Sequence, residues 1–315
     1  MQRIENSGGL AARIAQSLRA LWLVGILLAS GMVYAPPAEA ARCTSDSSGN
    51  WSCTHQQLDQ SYHGNNGFGS CTGFAATRHV RWQVPEGTPP AGGWDVVFYY
   101  NGTVSTLTSL VDPFSAGPLD AFGFVYLPQI FHELLDDPRN TGRRYAVIAA
   151  EAPNHLGTEY WDTNSVAPYS ASSDYCFLPA LFNAVSAGTY GPAYQYNMNR
   201  RFAFGISSGG YNSSRMAATF NGNNNFKALG IVSASYATCS GAACVVPSPL
   251  PASHPPTKFW HGTLDTIVPI YTMHLYYDQL VSQGIPTEKV EHNLGHQFTA
   301  DDLGSTGVRA FFDRH

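Results

Sequence analysis

Several stretches of the chain are apolar at consecutive positions rather than at alternate ones: 95–100, 145–150, 202–205, 228–233 and 258–261. A strand with one wet face alternates, so unbroken apolar runs predict strands buried on both faces, as in a parallel sheet. Helical spacing appears between them. From 174 to 185, Phe177, Leu178, Leu181, Phe182 and Val185 share one face, with Ser172 or Ser173 placed to cap the first turn. From 271 to 282, Leu275, Leu280 and Val281 predict another helix, stopped by Gly284 with Pro286 beyond it. A short helix closes the chain at 308–312, and 289–292 is strand-like. Strands alternating with helices predict an α/β fold in which helices flank a mostly parallel sheet. No repeat or low-complexity linker divides it, so a single domain is expected. Ahead of the turn cluster at 85–90, residues 43–75 are rich in Ser, Gly, Asn and Cys and read as a disulfide-stapled N-terminal segment.

The start of the chain has another pattern. Arg13 and Arg19 precede the apolar run 20–29, and Ala38-Glu39-Ala40 follows Pro36-Pro37. Basic, apolar and cleavable regions in that order predict a secretory signal over 1–40 and a mature domain over 41–315. The run is shorter than the ~20 residues of a membrane span, so no stable membrane anchor is expected. An uncleaved anchor is the alternative.

All six cysteines lie beyond that point, and an even count in an exported chain predicts disulfides. Cys239 and Cys244 bracket Ser-Gly-Ala-Ala and predict a local bridge; the pairing of Cys43, Cys53, Cys71 and Cys176 stays open. No His/Cys spacing suits a metal, and none is expected.

Composition sharpens this picture. The 315 residues are 44% hydrophobic and only 12% charged, with a net charge of −5. The apolar content excludes disorder. Lys227, Lys258 and Lys289 are the only lysines, and no basic stripe exists, so nucleic acid is excluded as a partner. A surface polar through Asn, Ser, Thr and Tyr suits a secreted protein facing uncharged material.

The sharpest motif is Gly205-Ile206-Ser207-Ser208-Gly209, between the strand at 202–204 and a helix predicted for 210–220. G-x-S-x-G in a strand–turn–helix setting is the nucleophile elbow of the α/β-hydrolase fold, with Ser207 as nucleophile. Ser208 is a rival whose flanks miss the spacing. A serine needs a base held by a carboxylate, and in this fold the chain order is Ser, acid, His. Asp265 lies just beyond the strand at 258–261, and His296 precedes the last helical region. Asp278 falls mid-helix and Asp301-Asp302 open the last helical region. His292 is a rival base in a strand-like setting, while His261 at a strand end reads as structural. The expected oxyanion donors are the Ser208 N–H and the loop Asn101-Gly102, where Asn101 could also use its side-chain amide. Tyr211, Trp161 and Tyr175 are candidate substrate contacts, with core packing as their plainer reading. Residues 122–135 read either as a cap over the site or as a segment packed on the sheet. The chemistry needs no cofactor.

With Gly205-Ile206-Ser207-Ser208-Gly209-Gly210-Tyr211, the run from His261 to Pro269, and Gly295-His296 in view, the chain resembles the extracellular polyhydroxyalkanoate depolymerases. It is most similar to their medium-chain-length type, the poly(3-hydroxyoctanoate) depolymerases, which share the Gly-Ile-Ser-Ser-Gly box. The short-chain type carries a histidine before the oxyanion glycine, where this chain has Asn101, and appends a polymer-binding domain that is not expected here. The resemblance implies Ser207 as nucleophile, His296 as base and Asp265 as orienting carboxylate, acting on a hydrophobic polyester. Another secreted carboxylesterase (feruloyl, acetyl-xylan or aromatic-polyester) is the alternative, and a non-catalytic binding module is a further one. Oligomeric state is not legible.

Overall fold

The computed structural model describes residues 41–105, 122–124, 127–164, 168–240 and 244–315; the expected export signal, 1–40, lies outside the described residues. Eight strands form the main sheet: β1 Gln56–His63, β2 Ala75–Gln83, β3 Trp94–Tyr100, β4 Tyr145–Ala150, β5 Tyr196–Ile206, β6 Phe226–Val232, β7 Thr257–Gly262 and β8 Thr287–His292. Their spatial order is β1-β2-β4-β3-β5-β6-β7-β8. The pairs β1/β2 and β2/β4 are antiparallel, and every later pair is parallel. This is an α/β-hydrolase fold. The winding reverses at β3, with β4 on one side and β5 on the other. A crevice at the carboxyl ends of those strands follows from that reversal.

The central strands are apolar throughout because both faces are covered. Along β3, Val96, Phe98 and Tyr100 enter one core, and Val97 and Tyr99 the other. Helices α2 Ser173–Ser186, α3 Ser208–Phe220 and α4 Ile270–Ser282 cover the first face through Leu178, Leu181, Met216 and Tyr276. Helices α1 Pro128–Asp136 and α5 Val308–Phe312 cover the second through Phe131, Leu134, Phe311 and Phe312. The side chain of Ser172 caps α2 by accepting the Tyr175 N–H at 3.2 Å. The described part of 122–135 packs on the sheet: Phe124 and Phe131 are fully buried, and the Phe131 ring meets Tyr99 edge-on at 5.6 Å. A cap over the site is not what this segment forms.

Three disulfides join the cysteines: Cys43–Cys53, Cys71–Cys176 and Cys239–Cys244. The expected local bridge is present. Cys43 and Cys53 face each other in a small antiparallel ribbon, Cys43–Ser45 with Trp51–Cys53. Cys71 ties the loop between β1 and β2 to α2. The segment read as merely stapled thus also supplies β1, and β2 begins at its last residue, Ala75.

Candidate active site

The elbow is built by close backbone approach. A Cβ at Gly209 would lie 2.0 Å from the Tyr100 carbonyl oxygen, and one at Gly205 would lie 2.5 Å from the Gly209 carbonyl carbon. Only glycines let α3 leave β5 so sharply against the end of β3. The turn falls on Ser207, whose φ of 53° and ψ of −124° are a strained combination for a residue with a side chain. Two backbone bonds hold it there: Ser207 N–H donates to Val232 O and Tyr211 N–H donates to Ser207 O, each at 3.0 Å. The strain is carried by these anchors, and the half-buried Ser207 stands at the N-terminus of α3, where positive potential concentrates.

Gly102 sits beside it, its α-carbon facing Ser207 so that an added Cβ would stand 3.4 Å from the serine Cβ. The loop 101–102 therefore lies next to the nucleophile, as expected of an oxyanion loop. The Asn101 side chain is buried, and its Nδ2 donates one hydrogen to the Gly102 carbonyl at 2.8 Å, a bond that shapes the loop.

Trp161 is corrected. It is fully buried, so it is not a surface contact for substrate. Its Nε1 donates to the Asn101 carbonyl at 3.1 Å, and its backbone N–H donates to Ser208 Oγ at 2.9 Å. One residue therefore props both candidate oxyanion segments from beneath. Tyr211 is buried too, close enough to Asp265 for the acid's charge to act with burial in pushing its phenol up to about 12. Tyr175 is half-buried among Tyr169 and Phe220. The core reading of these aromatics fits their burial.

Below this layer runs a buried polar network. Arg78 on β2 pairs with Asp174 on α2 at 2.8 Å, and Asp174 accepts the Thr163 N–H at 3.0 Å. Thr163 Oγ1 reaches Asn212 on α3 at 2.7 Å. Two elements beside the elbow are thereby locked together, because an unpaired charge at such depth would cost several kcal/mol.

Asp265 and His296 meet on the loops after β7 and β8. His296 Nδ1 lies 2.7 Å from Asp265 Oδ2. Asp265 Oδ1 accepts two N–H groups of its own turn, Ile267 at 2.9 Å and Val268 at 2.8 Å. His261 Nε2 lies 3.4 Å from Oδ2 and 2.8 Å from the Val268 carbonyl. A carbonyl only accepts, so His261 Nε2 carries the hydrogen. Burial opposes charge on Asp265, but the bonds from His261, His296 and Val268 outweigh it and hold the carboxyl well below the usual carboxylate range. An ionised Asp265 in turn takes a hydrogen from His296 Nδ1, leaving Nε2 with the free lone pair of a base. His261, read from the sequence as structural, therefore also stands against the acid, with its one Nε2 hydrogen held by the Val268 carbonyl and shared toward Oδ2. The signal available was its spacing, four residues before Asp265.

The two loops touch directly. A Cβ at Gly262 would lie 2.2 Å from the Leu294 carbonyl oxygen and 2.4 Å from that of Gly295. His292 is buried, and no hydrogen bond reaches either ring nitrogen, which disfavours it as a base. Among the described residues, no His/Cys/Asp/Glu group could hold a metal ion.

The poly(3-hydroxyoctanoate) depolymerase of Pseudomonas fluorescens is 44% identical over 248 residues, which make up 78% of this chain and 82% of that protein. This chain belongs to the poly(3-hydroxyoctanoate) depolymerase family. It is a carboxylic ester hydrolase. A thermostable esterase of known structure superposes with a TM-score of 0.50 at 14% identity, over 82% of this chain. The chain spans 60% of that esterase's length, and the likeness bears on the fold alone. The Bacillus cereus carboxylesterase aligns over 76% of this chain and 95% of its own at 14% identity, with a TM-score of 0.48. No protein-family model matches the chain. Among the described residues, no helix is long and apolar enough to cross a membrane.

Proposed function

We propose that the chain is a secreted serine esterase that hydrolyses the ester bonds of a medium-chain-length polyhydroxyalkanoate. The observation that carries the reading is an ionised Asp265 that orients His296, at the same carboxyl edge as the strained Ser207 elbow. The family relative's action on poly(3-hydroxyoctanoate) supports the substrate class. The three disulfides support export, with 1–40 as the signal that directs it and 41–315 as the catalytic domain.

In this mechanism Ser207 Oγ attacks the ester carbonyl while His296 Nε2 takes its proton. Asp265 stabilises the resulting imidazolium without accepting the proton itself. The Ser208 and Gly102 N–H groups receive the oxyanion, helped by the N-terminus of α3. Collapse expels the alcohol end of the cut polyester, protonated by His296, and leaves an acyl-Ser207. Water activated by His296 then releases the acid end and restores the serine.

A substrate panel tests the assignment: polyhydroxyoctanoate latex, polyhydroxybutyrate, feruloylated xylan and short nitrophenyl esters. Clearing of the polyhydroxyoctanoate latex is expected, with Ser207→Ala lowering turnover at least ~1,000-fold. Activity confined to the xylan would overturn the polyester reading, and full activity in Ser207→Ala would overturn the nucleophile.

A further inference from the structure

Apolar side chains that no core uses stand around the Asp265–His296 pair. Leu264 and Ile267, on either side of Asp265, are 65% and 70% exposed, and Leu294, two residues before His296, is 43% exposed. Tyr271, at the start of α4, is half exposed. The Leu264 N–H donates to the Leu294 carbonyl at 3.1 Å, so the loops carrying these leucines are one backbone bond apart. Ile267 is equally fixed, since its N–H is bound to Asp265.

The two loops themselves carry almost no charge. Between 262 and 273 the one charged side chain is Asp265, which is fully buried, and between 293 and 300 the one group able to carry charge is His296. Among the described residues the most exposed large apolar side chains, Phe68, Phe74 and Leu156, also lie on loops at the carboxyl edge of the sheet, toward its β1–β2 end. At the opposite edge, exposed apolar groups such as Tyr194 and Val281 are scattered singly. Clustered apolar exposure marks an interaction surface, whereas single exposed residues do not.

We propose that Leu264, Ile267, Tyr271 and Leu294 form the surface on which an insoluble, uncharged polyester adsorbs beside Ser207. The inference rests on the ester-hydrolase reading above and deepens it. An uncharged face of rigidly held aliphatic groups, continuous with the acid and base, matches a polymer with no charge to recognise. It offers nothing to orient a charged partner.

Adsorption is measured on polyhydroxyoctanoate particles with the full chain carrying Ser207→Ala, so that binding is read without cleavage. Adding Leu264→Ser, Ile267→Ser and Leu294→Ser is expected to lower the partition constant at least ~10-fold, the scale of losing buried apolar side chains. Tyr194→Ser with Val281→Ser is expected to change it less than about twofold, as for exposed apolar side chains outside the contact. With Ser207 intact, the triple variant should lower the ratio of latex clearing to soluble-ester hydrolysis by a similar factor. Should the triple variant fail to fold, Ile267→Ser alone is expected to lower the partition constant about threefold. Unchanged adsorption or an unchanged ratio overturns the proposed surface. Adsorption through these residues without any clearing by the unaltered enzyme sinks the polyester-hydrolase reading and leaves the surface standing. Failure of the unaltered chain to adsorb overturns both.

Discussion

The nucleophile side of the site and its acid–base side are held by different physics. At β3 and β5, position is set by sterics. Gly209 lies where a methyl group would strike the Tyr100 carbonyl at 2.0 Å, and Ser207 keeps a strained backbone because its neighbours leave no other path. At β7 and β8, position is set by charge and hydrogen bonds. Asp265 is buried yet collects donors from Ile267, Val268 and His296, with His261 beside it at 3.4 Å. The nucleophile side should therefore fail when shape changes, and the acid–base side when charge changes. The glycine at 262, which lets the two acid–base loops meet, shows that sterics still sets their separation.

The largest expected effect is electrostatic. Asp265→Asn keeps the volume but removes the charge and favours the wrong His296 tautomer, so kcat/KM should fall about 10⁴-fold, as in other serine triads, with folding retained. Steady-state hydrolysis of a nitrophenyl ester beside a circular-dichroism melt checks this, and a loss under tenfold would remove Asp265 from its role. Gly209→Ala comes next. Relief of that clash moves the elbow or β3 by about 1 Å, for which a loss on the order of a hundredfold is expected. Unlike Asp265→Asn, this variant should also melt at lower temperature, and near-normal activity would contradict the steric account. His261→Phe removes the imidazole that stands 3.4 Å from the acid and bonds the Val268 carbonyl, and is expected to lower kcat about tenfold. The same variant should raise the pKa of Asp265, read from the carboxyl resonance in an NMR titration.

A further effect falls on stability rather than on turnover. Burial pushes the Asp302 carboxyl up to about 7 in the folded chain, although the Thr299 backbone and hydroxyl donate to it. A raised carboxyl pKa stabilises the fold below the unfolded value of about 3.9 and loses that contribution as pH rises through about 7. Asp265 has the opposite sign: its depressed pKa stabilises the fold above about 3.9 and is lost only in strong acid. Between pH 4 and 8 the wild type should thus lose stability relative to Asp302→Asn, by an amount on the order of a few kcal/mol. Denaturant titrations at both pH values read the difference, and equal pH slopes would contradict it.

Much of this was legible in the chain itself because burial on both faces writes unbroken apolar runs. β3, β4, β6 and β7 were read from such runs, and the predicted helices at 174–185, 271–282 and 308–312 coincide with α2, α4 and α5. β1 and β2 were not legible. Gln56–His63 is almost wholly exposed at the sheet edge, so it carries no apolar run, only Leu58 and Tyr62 set among polar residues that look like loop. The bridges Cys43–Cys53 and Cys71–Cys176 could not be chosen because they follow from a ribbon register and from the packing of α2, neither of which spacing encodes. Trp161 misled because residue type shows what a side chain can bind, but not that the oxyanion loop itself uses it as an internal support.

The site stands or falls on Ser207 as the reactive group. The most direct measurement is labelling of the purified chain with a fluorophosphonate, located by peptide mass mapping and followed alongside clearing of polyhydroxyoctanoate latex. One adduct per chain, on Ser207, with clearing lost in proportion to labelling, is the expected result. A fully labelled Ser207 in protein that still clears the latex, or no adduct on Ser207 in active protein, would contradict it.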